Sequence, residues 1–243
     1  QAGSERVPPH GIAGGRPGCQ ASVLGVRGRE LHGTLDQHPR LLGGGVSLDA
    51  QTYLSGGGDT TLIAFGAGGW NYYVTSNGLG DSAIVVGHPS YGTGNWKHPD
   101  HLDTPVAGAA DNQWHQGTAP LGYGVIGDSG NALPIGTTIG YGGNTANRYP
   151  TTYFRRTFDL TNASSYTSLR VEIILEDGGI VYLNGREIAR SSAPFNSGNL
   201  SYGTFSLRSR SGAAERAIET FTRVLAPGDL MEGRNVIAVE VHN

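Results

Sequence analysis

The chain of 243 residues contains one cysteine, Cys19, and one methionine. A lone thiol closes no internal disulfide and offers no CxxC pair for a metal or redox motif. Charged residues make up 15% of the sequence, the formal net charge is -3 and no run of five or more basic residues occurs. Those values exclude the strong electrostatic attraction on which binding to phosphate backbones or anionic lipid depends, so no nucleic-acid partner is expected. No stretch reaches the roughly 18 apolar residues of a membrane-spanning helix, so no membrane span is expected. The opening QAGSERVPPHG has neither a charged n-region nor an apolar h-region. Either the protein is cytosolic or a signal was removed before Gln1.

What the chain has in quantity is glycine, 40 residues, with 12 prolines. Such a composition describes short elements joined by tight turns rather than long amphipathic helices, and an all-β class is expected. The length suffices for one large β domain that needs neither metal nor disulfide to fold. Residues 1–58 are set apart by PPHGIAGGRPG and LLGGGVSLDAQTYLSGGG, and they read as a Gly-rich N-terminal extension with no assigned chemistry. Residues 59–243 read as the β module, beginning with the short apolar runs LIAF, WNYYV and AIVV.

The C-terminal half carries the clearest periodicity. Leu169, Val171, Ile173 and Leu175 alternate with Arg170, Glu172 and Glu176, the period of two that buries one face of a strand. Asp177-Gly178 and Asn184-Gly185 are hairpin signals, because these residues tolerate positive φ. The stretch ILEDGGIVYLNGREIAR is therefore predicted to be a three-strand antiparallel meander. SYGTFSLRS, ETFTRVL and NVIAVEVHN are further strand candidates, the last with Ile237, Val239 and Val241 inward and Glu240 and His242 outward. The last strand ends at Asn243 without a turn signal, which suggests processing or truncation there.

Four ordered motifs, GTAPLGYG (Gly117 to Gly124), TTYFRRTFDL (Thr151 to Leu160), EDGGIVYLNGREIAR (Glu176 to Arg190) and GRNVIAVEVHN (Gly233 to Asn243), resemble a galactose-binding-like β-sandwich module. Modules of this kind are appended to secreted bacterial metallophosphoesterases, other hydrolases and surface proteins. The resemblance covers about Trp70 to Asn243. It implies a jelly-roll sandwich, a secreted or cell-surface bacterial-type setting within a larger protein, and a non-catalytic accessory or ligand-binding role. Such modules often hold a structural calcium. They usually continue past VEVH into a further strand, so another segment, such as the N-terminal extension, is expected to cover that sheet edge.

Two constellations carry candidate chemistry. The first is the loop from residue 88 to 115, which has no strand-length apolar run and holds His88, His98, Asp100, His101, Asp103 and His115. Imidazoles and carboxylates are ligands for zinc-like ions, and a catalytic site needs three of them plus an open position for water. His98, Asp100, His101, Asp103 and His115 are the candidate metal ligands, and His98, His101, His115 and Asp103 would be catalytic if the protein is an enzyme. Asp100, Asp103 and Asp111 are the local carboxylates that could orient imidazoles. Pro99 prevents a regular helix through His98 and His101. The second constellation is aromatic: Trp96, Tyr91, Trp114 and Tyr123 are candidate ligand-binding rings, because aromatic faces meet the apolar CH surfaces of sugars. Trp96 is expected to be an exposed platform, and Trp70 and Tyr153 are assigned to the core. For calcium, the acidic residues near the meander are Glu176, Asp177, Glu215, Glu219 and Glu240. Nucleophilic catalysis has little basis, since GDSG around Ser129 lacks supporting sequence and GGNT at residues 142–145 has no following lysine. Two functions follow: an extracellular carbohydrate-binding accessory module, or a small metal-dependent hydrolase of phosphate or carboxylic esters using the 88–115 loop.

Overall fold

A computed structural model of the chain describes residues 22–30, 59–74, 96–101, 113–124, 134–142, 148–175, 177–191, 200–207, 214 and 217–243. The described part is all-β. Its strands are β1 (Ser22–Glu30), β2 (Asp59–Ile63), β3 (Trp70–Tyr73), β4 (Trp114–Gly117), β5 (Leu121–Gly122) and β6 (Thr137–Thr138). They continue with β7 (Thr151–Leu160), β8 (Tyr166–Ile174), β9 (Gly178–Leu183), β10 (Arg186–Arg190), β11 (Glu219–Val224) and β12 (Gly233–His242). A single 3-10 turn, Ala163–Ser165, links β7 to β8.

Six strands form an antiparallel sheet in the order β10-β9-β12-β7-β3-β4, and four form a second in the order β11-β8-β1-β2. β5 and β6 make a short parallel pair. The two main sheets share one hydrophobic core, to which β8 contributes Leu169, Val171 and Ile173, β7 Phe154 and Phe158, β9 Val181 and Leu183, and β12 Ile237, Val239 and Val241. This two-sheet packing is compatible with a β-sandwich. The alternation in β8 holds: Leu169, Val171, Ile173 and Leu175 are at most 1% exposed. Arg170 is exposed and pairs with half-buried Glu172 beside it. Trp70 and Tyr153 are buried, as expected.

The predicted meander divides at its first turn. β8 belongs to the four-stranded sheet and β9 to the six-stranded one, so Asp177-Gly178 marks a passage between sheets rather than a hairpin. The physical cause is visible in the burial of Ile173, Ile174 and Leu175, where alternation gives way to a continuous apolar run that crosses the core. On the far side, β9 lies so close to β12 that a Cβ on Gly179 would sit 2.4 Å from the Glu240 carbonyl oxygen. The second turn is a hairpin as predicted, with Arg186 opposite Leu183 and positive φ at both Asn184 (48°) and Gly185 (89°). These are the signs that a type I′ turn requires. The Asn184 carboxamide ties the turn to β12, accepting from Val236 N at 2.9 Å and donating to Asn235 Oδ1 at 2.8 Å.

ETFTRV and NVIAVEVH form β11 and β12 as expected, but residues 201–207 of SYGTFSLRS form a turn-containing segment instead of a strand. The C-terminal end of the long 88–115 loop is also strand: β4 pairs with β3, placing His115 opposite Tyr72. β12 is flanked by β7 and β9, so it is not an edge strand. β1, from within residues 1–58, instead covers β8, with Val26 opposite Val171, and lies between β8 and β2. The rest of residues 1–58 lies outside the described residues.

Candidate functional site

The histidine-bearing segment is built around a tight turn. Trp96 anchors it in a second apolar cluster on the outer face of the six-stranded sheet, with Tyr153, Ile180, Tyr182, Ala238, Trp114 and Tyr202. In HPDH, the His101 N–H donates to the His98 carbonyl at 3.1 Å, with Pro99 at the second position where its fixed φ suits such turns. The fully buried Arg155 of β7 then clamps the turn. Its Nη1 donates to the His101 carbonyl and its Nη2 to the His98 carbonyl, each at 3.0 Å. The backbone of both histidines is thus used structurally.

Their imidazoles diverge. His98 is exposed and its Nδ1 lies 3.3 Å from the Asp100 N–H and 3.4 Å from the Asp100 carboxylate. His101 is buried with its ring 5.7 Å from that of Trp114, at the outer face. His115 follows Trp114 along β4 and stacks on Tyr72 at 5.0 Å and 18°. Successive strand residues point to opposite faces, and Tyr72 packs toward the inter-sheet core while Trp114 packs toward the outer cluster. His101 and His115 are therefore on opposite faces of one sheet and cannot ligate one ion in this arrangement. Among the described residues no group of three or more His, Cys, Asp or Glu side chains is placed to hold a metal. Asp103, Asp111, His88 and Ser129 lie outside the described residues. So do Glu176 and Glu215 of the calcium candidates, while Asp177, Glu219 and Glu240 are dispersed over the corner between sheets, β11 and β12.

The candidate ligand-binding aromatics are interior. Trp96 is 1% exposed, with its ring edge-on to Tyr153 at 5.0 Å and to Tyr182 at 6.1 Å, which corrects the expectation of an exposed platform. The reason is that β7, β9 and β12 present a second apolar face here, and the 96–101 segment closes over it. Trp114 is buried against Tyr73 and His101. Tyr123 is buried beside Tyr141, and its hydroxyl donates to Asn243 Oδ1 at 2.9 Å. Tyr91 lies outside the described residues.

A polar cluster absent from the sequence reading lies under the same cover. Glu240 and His242, predicted to face outward, are 5% and 0% exposed because the outer face of β12 is covered by residues 96–101 and 200–207. Tyr182 donates to Glu240 Oε1 at 2.5 Å, and the Lys97 ammonium sits 3.7 Å from the Tyr182 ring centre. Burial pushes the Tyr182 phenol far above its usual range, with Glu240 adding to the effect, so it remains a donor. Burial also lowers Lys97, and this is only partly opposed by the charges of Glu240 and Glu187.

Thr151, His242 and Glu240 together have the residue types of a nucleophile, base and carboxylate. Their hydrogen bonds do not assign those roles. Thr151 donates to the Tyr202 carbonyl at 2.6 Å, and His242 Nδ1 faces the Thr204 carbonyl at 2.7 Å, a geometry in which the ring nitrogen must donate. His242 Nδ1, 3.0 Å from Thr151 Oγ1, is thus not available as its base. These groups fasten residues 200–207 to the sheet. The unbroken apolar run Ile180 to Leu183 in β9 and the adjacent Tyr153 and Phe154 in β7, which put apolar side chains on both faces of the sheet, were the available sequence signal for this second buried face; nothing in composition marked Arg155 or Lys97.

No protein-family model and no curated protein matches the chain.

Proposed function

We propose that this chain is an extracellular, non-catalytic accessory module that binds carbohydrate, a jelly-roll of the galactose-binding-like class within a larger secreted protein. The observation that carries the reading is the commitment of the reactive-looking groups to structure. Arg155, Thr151 and His242 are bound to backbone carbonyls beneath the cover of residues 96–101 and 200–207, and Tyr182 is bound to Glu240. The histidines with metal-ligand character are split between two faces of the sheet. Low charge content and the absence of basic clustering favour a neutral ligand over an ionic one.

Calorimetric titration of the purified chain with a panel of neutral saccharides, followed by mass analysis of the mixtures, tests the proposal. Saturable binding with the saccharide recovered intact is expected. Ester hydrolysis by the chain, with no saccharide bound, would replace this reading with the metal-dependent hydrolase.

A further inference from the structure

A groove of about 460 Å³ opens at one end of the fold, where the turn after β7 meets the β11–β12 loop. Its walls include Ser164, Tyr166 and Thr167 on one side and Leu225, Pro227 and Glu232 on the other. The walls are braced to each other. The Glu232 carboxylate accepts the Asn162 N–H at 3.0 Å and also the Ala163 N–H. The Leu225 N–H donates to the Thr167 carbonyl at 2.9 Å. Behind the loop, the Asp229 carboxylate accepts the Ala226 N–H at 2.9 Å and pairs with Arg186 at 2.7 Å. A groove held open by such bonds has a preorganised shape, which reduces the ordering cost of binding.

We infer that this groove is the ligand site and that it takes a neutral hexopyranose, an inference that rests on the carbohydrate-binding reading above. Its volume falls within the roughly 300–1,000 Å³ of small-molecule sites. The half-buried Tyr166 ring, with Leu225 and Pro227, supplies apolar surface for the CH face of a pyranose. Ser164 offers a hydroxyl that both donates and accepts, and Glu232 offers carboxylate lone pairs to sugar hydroxyls. No Lys, Arg or His is among the lining residues, and the carboxylate is the charged group there. A phosphate or uronate would meet repulsion without a compensating cation. Ser164 and Ala226 are exposed on opposite walls, so a bulky side chain at either fills the groove without disturbing the core.

The test is an isotope-labelled amide titration of the chain with galactose, glucose, mannose and N-acetylglucosamine, and with glucuronate as the anionic counterpart. At least one neutral sugar should shift amides of residues 162–167 and 225–232, with affinity for glucuronate at least about tenfold weaker. Ser164→Trp and Ala226→Trp, each checked for unchanged thermal unfolding, should each weaken neutral-sugar binding by at least about tenfold. A neutral sugar that shifts other amides and binds both variants as tightly as the parent removes the groove while leaving the accessory-module reading in place. Equal binding of glucuronate overturns the neutral class. Failure of every neutral sugar to bind the parent chain overturns the carbohydrate reading and this inference with it.

Discussion

The two main sheets bury their strands differently. In the four-stranded sheet, β11 alternates half-buried and exposed residues and β8 keeps Arg170 in solvent. In the six-stranded sheet, all of β9 and the last eight residues of β12 are buried, because the outer face carries a second core roofed by residues 96–101 and 200–207. Alternation in sequence thus has two meanings here. In β8 it separates core from water, whereas in the VEVH end of β12 it separates an apolar core from a polar but equally buried layer. A period of two reports two different environments, and only the roof determines that neither is solvent.

If the outer layer is a true core, Trp96→Ala should cost about 3 to 5 kcal/mol in urea unfolding, the usual range for a fully buried tryptophan. A cost below about 0.5 kcal/mol, the level of an ordinary surface substitution, would return Trp96 to the solvent-facing role expected from sequence. Within the same sheet, Gly185→Val should destabilise by roughly 1 to 3 kcal/mol, since a β-branched residue is forced to positive φ in the β9–β10 turn. Equal stability of the variant would show that the turn can adopt another form.

A pH series sharpens the comparison further. His242, fully buried at the outer layer, has its folded pKa lowered, first by burial and against the opposing pull of Glu240 and the Thr204 carbonyl; Arg190 and Lys97 lower it further. The unfolded imidazole, near its usual pKa of about 6.5, binds a proton that the folded one resists. Stability should therefore be full above about pH 7 and decline as the pH falls through 6.5 toward the depressed folded value. His242→Gln should flatten that decline in denaturant titrations, and an unchanged slope would locate the effect elsewhere. At the small end, Arg170→Ala on the solvent face of β8 should change stability by less than about 0.5 kcal/mol, its ion pair with Glu172 being partly exposed. A loss comparable with that of Trp96→Ala would erase the distinction between the two sheets.

Much of the β framework was legible in the sequence because it rests on local rules. Asn184-Gly185 needs only its own backbone preferences to declare a hairpin, and Leu169 to Leu175 need only their spacing to declare an inward face. The division of β8 and β9 between sheets was not legible, since a turn signal does not specify whether the chain returns to the same sheet or crosses the core. The burial of the outward-facing Glu240 and His242 depends on segments more than thirty residues away, Thr204 among them. For the candidate site, residue type exposed His98, His101 and His115 as metal-ligand chemistry, but their faces depend on where β4 pairs and where Arg155 holds the HPDH turn. The groove at Tyr166 and Glu232 had no motif, because its two walls are brought together by the fold.

The most direct test of a sugar-binding module without a catalytic metal centre is elemental analysis of the purified chain. It should be paired with phosphate- and carboxylic-ester turnover before and after chelation. A non-catalytic module predicts no stoichiometric metal bound by the histidine loop and no chelator-sensitive turnover, with His98→Ala indistinguishable from the parent. One zinc-like ion per chain, lost together with turnover in His98→Ala, would contradict it and identify the hydrolase.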